Sequence, residues 1–200
     1  MQKLSRPSSG KRNVPATSGY DLFQALRRSV DCFRRARVPY ALIGAWALGA
    51  WGRPRATLDL DFLVMVSEGG MERVAATMAR AAMVVDEAWR ESNPLLRTSQ
   101  LRALCRGVTI DLLRPRDAHD RQIFRRRRKK RVEGHYYWVI APEDFVIQKL
   151  KVGRPRDYED ALTVLERCRG KLDRTYLLRW ARRLGIFREL DYLLNVPGEE

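Results

Sequence analysis

The sequence predicts an α+β protein in which strands and helices interleave as far as residue 140 and helices alone follow. Three observations carry this. Apolar residues recur at helical spacing in Asp21 to Val38 and again from Glu72 to Met83. Between and after these segments lie short β-prone runs, among them QLRALC and VTIDLLR, separated only by Arg106-Gly107. Beyond Pro142 the apolar spacing is helical throughout.

Residues 1–19 are rich in Ser, Pro, Lys and Arg without periodicity and read as a flexible basic arm. In the first helix Leu22, Leu26, Val30 and Phe33 form the apolar stripe, arginines fill the other faces, and Pro39 closes it. Tyr40 to Val66 then reads as a short strand, a tight turn at Gly44, a small helix to Trp51, a loop carrying Arg53, Arg55 and Thr57, and a second strand. That second strand places Asp59 and Asp61 on one face, because side chains two apart on a strand point the same way. Adjacent carboxylates repel unless a cation lies between them, and a divalent ion with a preference for hard oxygen ligands, Mg²⁺ foremost, is the simplest such cation. Gly44 would let an anion approach the backbone at a helix N-terminus.

The run QLRALC–VTIDLLR reads as a hairpin with Gly107 supplying positive φ. Asp111 is an isolated carboxylate in its apolar second strand. It is either buried in a salt bridge to an arginine or a third acid beside Asp59 and Asp61. Residues 117–131 read as a helix that ends in Arg125, Arg126, Arg127, Arg128, Lys129, Lys130 and Arg131. Seven like charges leave no apolar helix face there. The run is either a solvated surface or a phosphate-attracting, nucleic-acid-binding segment. His135 to Ile140 reads as a strand. Pro142, Glu143 and Asp144 open a helix in which Lys149 sits among apolar residues, either snorkelling to water or reaching into a site. Gly153-Arg154-Pro155-Arg156 breaks it. Asp157 and Asp160 then share a face of the next helix, with N-terminal capping as their simplest role. Asp173 to Leu184 and Ile186 to Leu194 close the chain as a helical pair.

Composition narrows the partners. The chain has 200 residues and a net charge of +15, from 39 Lys and Arg against 24 Asp and Glu. Such a balance points to a polyanionic partner, most simply nucleic acid, although a generally Arg-rich composition gives the same sum. Cys32, Cys105 and Cys168 lie far apart and read as buried thiols in a reducing compartment. No apolar run approaches the ~18 residues of a membrane span. A cytoplasmic protein without membrane contact is expected.

Four blocks together resemble nucleotidyltransferases of the DNA polymerase β superfamily, particularly the small enzymes close to the AbiEii toxin group. They are Gly44 through Asp61, the strand bearing Asp111, the segment PEDFVIQKLKVGR with Lys149 and Arg154, and Arg156-Asp157-Tyr158-Glu159-Asp160. The resemblance spans residues 20–195 and implies a polymerase-β-like core, a small mixed sheet flanked by helices, over 20–140, followed by a C-terminal helical bundle over 141–200. It implies that Asp59, Asp61 and Asp111 bind Mg²⁺ or Mn²⁺, and that an NTP lies against Gly44, Ala45, Arg55 and Thr57. Lys149 and Arg154 would contact the phosphates, Lys149 catalytically, with Asp157 and Asp160 orienting that basic pair or helping to bind the nucleotide. The implied reaction moves a nucleoside monophosphate to RNA, the tRNA 3′ end foremost, or to a protein, with a cognate toxin or antitoxin as a further partner. One position departs from the family. Its turn is Gly-Gly or Gly-Ser, whereas Ala45 follows Gly44 here, leaving only backbone N–H groups to hold the triphosphate.

Overall fold

The computed structural model describes residues 19–67 and 69–196; the expected basic arm lies, but for its last residue, outside them. Sixteen elements follow in chain order: α1 (Gly19–Arg35), β1 (Tyr40–Leu42), α2 (Gly44–Trp51), β2 (Asp59–Val64), α3 (Gly70–Arg80), β3 (Val84–Val85), α4 (Glu87–Ser92), β4 (Gln100–Cys105), β5 (Val108–Leu113), α5 (Ala118–Arg126), β6 (Arg128–Val132), β7 (His135–Val139), α6 (Pro142–Val152), α7 (Pro155–Arg167), α8 (Arg174–Leu184) and α9 (Phe187–Asn195). The strands form one sheet in the order β3-β4-β5-β2-β1-β7-β6. It is mixed: β2 runs parallel to β5 and β1 parallel to β7, while the other neighbours are antiparallel.

Strand alternation decides what each face does. Leu60, Phe62 and Val64 of β2 and Val108, Ile110 and Leu112 of β5 are all buried. They face α1, whose Phe33 meets Phe62 edge-on at 5.0 Å. The alternate positions of the same strands, Asp59, Asp61 and Asp111, are therefore turned to the other face, where α2, α6 and α7 lie. The β4–β5 turn is tight because Arg106 and Gly107 both adopt positive φ, 53° and 79°. Its register places Arg102 opposite Asp111. After β7 the chain enters α6 with Pro142 in the first turn, and Gly153 ends that helix in a left-handed conformation at φ 71°.

The helix expected over 117–131 stops at Arg126, and residues 128–132 form the edge strand β6. On a helix these consecutive charges would cover every face and leave none to pack. An extended strand separates them onto two faces, and aromatic rings receive them there. Arg127 and Lys129 lie over Trp138, at 4.6 and 5.1 Å, and Lys130 lies 3.7 Å over Trp51. Cys32, Cys105 and Cys168 are free and buried. Among the described residues no helix is long and apolar enough to cross a membrane.

Candidate active site

The three acids come together through sheet register. Asp61 is the direct parallel partner of Asp111, and Asp59 lies two residues earlier on the same face of β2. Gly44, at φ +62°, opens α2 immediately beside them. Its lack of a side chain is required twice. Positive φ is one reason, and the other is that a Cβ would lie 2.0 Å from Asp61 Oδ2. The Ile43 N–H donates to the Asp61 carbonyl at 2.9 Å, tying the turn to the strand. No side chain caps α2 among the described residues, so the first N–H groups of the helix, at Gly44 and buried Ala45, are left to meet whatever enters the cleft.

The charge at these acids is unevenly compensated. The Thr57 hydroxyl donates to the Asp59 carboxylate. Arg102 forks onto Asp111, its Nε and Nη2 donating to Oδ1 and Oδ2 at 2.8 and 2.9 Å. Asp61 makes no ion pair among the described residues. Burial, then repulsion from Asp59 and Asp111, pushes its pKa up to about 6 against the opposing pull of Lys149 and Arg55. A carboxylate so placed is short of a cation, and Asp59 and Asp61 are the oxygen donors a divalent ion would use. Asp111 fits that set by position, with its two oxygens taken by Arg102.

Opposite the acids, α6 and α7 present a fixed basic group. Lys149 Nζ donates to Asp157 Oδ1 at 2.8 Å and to Asp160 Oδ2 at 2.7 Å. Arg55 reaches the same Asp160 at 3.3 Å. Two of the three ammonium protons are thus used in positioning, and one remains. Asp157 and Asp160 hold the lysine, beyond the capping role their spacing suggests; Asp157 also accepts from the Arg154 N–H. Arg154 is exposed at the start of α7 and makes no ion pair among the described residues. The three acids, Gly44, Ala45, Arg55, Lys149, Arg154 and Asp157 line one cleft of about 700 Å³, while Thr57 and Asp160 lie outside that lining. Seven basic side chains face it against four acidic ones, and Arg102, Arg116 and Lys151 are cations that the sequence motifs did not include, while Arg156 stood in a motif without a role.

No family model and no curated protein matches the chain. Solved structures do. The antibiotic-resistance factor ANT(2″)-Ia superposes with a TM-score of 0.54 at 12% identity, over 86% of this chain and 98% of that one. The lincosamide antibiotic adenylyltransferase LnuA gives 0.50 at 13% identity, over 74% and 96%. A Thermotoga maritima protein assigned as a nucleotidyltransferase gives 0.51 at 14% identity, over 72% and 91%. The fold is a nucleotidyltransferase fold.

Two further groups lie outside the cleft's acid row on this nucleotidyltransferase fold. Asp117, His119 and Asp120 stand close enough to share a metal ion. Lys151 Nζ already lies 2.6 Å from Asp117 and 2.7 Å from Asp120, and His119 Nε2 is 3.0 Å from Asp144, so a lysine fills the cation's role there. The run Arg125 to Arg131 is not part of the cleft lining. Within it Arg126 turns inward, pairing with Glu143 at 2.9 Å and Asp144 at 3.4 Å and lying 3.7 Å over Tyr176. Arg127 donates to the Tyr40 carbonyl. These two arginines brace the fold, while Arg125, Arg128, Lys129 and Arg131 are exposed.

Proposed function

We propose that the protein is a divalent-metal-dependent nucleotidyltransferase that moves a nucleoside monophosphate from an NTP to an acceptor. The observation that carries this reading is the row Gly44–Asp61–Asp111, with no ion pair to Asp61 among the described residues, on a nucleotidyltransferase fold. Bound divalent ions, Mg²⁺ or Mn²⁺, would supply charge stabilisation at both ends of an in-line displacement. Asp59 and Asp61 would hold them, with Asp111 completing the set. The backbone N–H groups of Gly44 and Ala45 would receive the polyphosphate at the start of α2. Lys149, kept in place by Asp157 and Asp160, would turn its remaining proton to a phosphate oxygen as charge develops, and Arg154 would add a fork. Arg55 and Thr57 would steady the nucleotide side of the loop. Residues 20–140 form the nucleotidyltransferase core in this reading, and helices α6 to α9, as far as Asn195, the part that supplies Lys149.

An RNA acceptor, the tRNA 3′ end foremost, suits the +15 charge and the predominantly basic lining of the cleft. A second structure of ANT(2″)-Ia holds adenylyl-2″-tobramycin. An acceptor of that kind is a polycation, which this lining disfavours. A protein acceptor, and a place in a toxin–antitoxin pair close to the AbiEii group, are the other forms of the same reading. The test incubates purified protein with Mg²⁺, each labelled NTP, and either total tRNA or cell lysate. Label should transfer to RNA with the wild type and vanish with Asp61→Asn.

A second reading, a fold that binds nucleic acid or a partner protein without catalysis, is favoured by the Arg102 fork on Asp111 and by Ala45 in the turn. Absence of NTP binding at millimolar Mg²⁺, with RNA or partner binding retained, would decide for it.

A further inference from the structure

Asp111 is the one member of the acid row that already has a cation on both oxygens. Hairpin register sets Arg102 directly across from it, and the fork spans Oδ1 and Oδ2. The guanidinium is supported from its other side by the Trp89 ring at 5.1 Å. Both partners remain partly open to the cleft, with side-chain exposures of 33% for Arg102 and 23% for Asp111. A pair with that much solvent is weakly held and can exchange partners. The cleft lysines differ, because Lys149 is held by Asp157 and Asp160 of α7 and Lys151 by Asp117 and Asp120 at the start of α5, and not by the acid row itself.

A side-on fork takes one lone pair of each oxygen and places a positive charge against the carboxylate, so a metal ion brought to the same group is repelled and guanidinium and metal contend for it. We propose that Arg102 is a displaceable counter-cation. It occupies Asp111 while the site holds no metal, must release that carboxylate for the third ligand to reach a divalent ion, and so sets the metal affinity of the site. Arg102 is a positioning residue in this scheme, acting on the metal through Asp111. The inference rests on the metal-dependent reading above and adds to it the reason why metal alone should bind weakly.

The experiment is Mn²⁺ binding to nucleotide-free protein, followed by the loss of the free-ion electron paramagnetic resonance signal. It compares wild type, Arg102→Gln, Arg102→Lys, Asp111→Asn, Asp61→Asn and the Arg102→Gln/Asp111→Asn pair. Arg102→Gln should bind Mn²⁺ about fivefold more tightly, the scale of a partly exposed ion pair converted to affinity. Arg102→Lys, a point charge without a fork, should fall between. The gain should disappear in the Asp111→Asn background. Mn²⁺ affinity that is unchanged or weaker in Arg102→Gln, while Asp61→Asn still abolishes binding, overturns this inference alone. Failure of the wild type and of Arg102→Gln to bind Mn²⁺ overturns the metal-dependent reading together with it.

Discussion

A methyl group at position 44 would meet the Asp61 carboxylate at 2.0 Å on a backbone of φ +62°, so the turn and the acid are one structural unit. Gly44→Ala should lose about 1–2 kcal/mol from left-handed backbone alone, and should also displace Asp61 and abolish metal binding. Gly49 in the same helix has open space at its Cβ. Gly49→Ala should therefore be neutral or gain about 0.5–1 kcal/mol. Urea midpoints of the two variants test this, and equal stability would refute the close approach. Asp61 makes a second residue-scale prediction. Its pKa is raised from 3.8 to about 6, so the native state binds more protons than the unfolded chain between those values. The unfolding free energy should then fall as pH rises from about 4 to about 6. The loss in metal-free protein is at most about 3 kcal/mol, reduced where solvent reaches the group. Asp61→Asn removes the effect, so the variant should be more stable than wild type at pH 7.5 and closer to it at pH 4.5. A stability difference that does not change between the two pH values would count against the burial of an uncompensated charge.

At the scale of elements, the β6–β7 hairpin divides one charge run into two roles. Arg128, Lys129 and Arg131 are exposed, whereas Arg126 joins α5 to α6 through Glu143 and Asp144. Replacing the three exposed residues with Gln should flatten the salt dependence of RNA binding by about two to three logarithmic units of slope without changing stability. Arg126→Gln should cost about 2–4 kcal/mol, because it leaves buried Glu143 and Asp144 short of a partner. If the triple variant melts early, or leaves the salt slope intact, the division is wrong. The same hairpin shows what the sequence could carry. The charge run read as the end of a helix, whereas it forms a strand whose charges are received by rings on β7 and at the end of α2, which local spacing does not reveal. Asp59 and Asp61 were legible because strand alternation is local. Arg102 was recoverable, since a two-residue turn at Arg106-Gly107 fixes residue 102 opposite 111. Lys151 between Asp117 and Asp120 was not, because it depends on how α5 packs against α6.

For the whole molecule, the cleft matters as a joint. Its acids come from the middle of the sheet, its glycine turn from the start of α2, and its fixed lysine from α6, positioned by α7. A nucleotide bound there with metal would bridge the sheet to the C-terminal helices and stabilise both at once. Because Asp61 repels the polyphosphate until a divalent ion is present, NTP alone should add little. NTP with Mg²⁺ at a hundred times the dissociation constant should add about 2.7 kcal/mol, a rise in Tm of about 5–10 °C for a chain of this size. Thermal unfolding followed by circular dichroism reads this directly, as one transition moving upward as a unit. Lys149→Met should shrink the shift and Asp61→Asn should abolish the part that depends on Mg²⁺. A shift of equal size with NTP alone, or in Asp61→Asn, would place the nucleotide elsewhere on this basic protein and separate binding from the acid row.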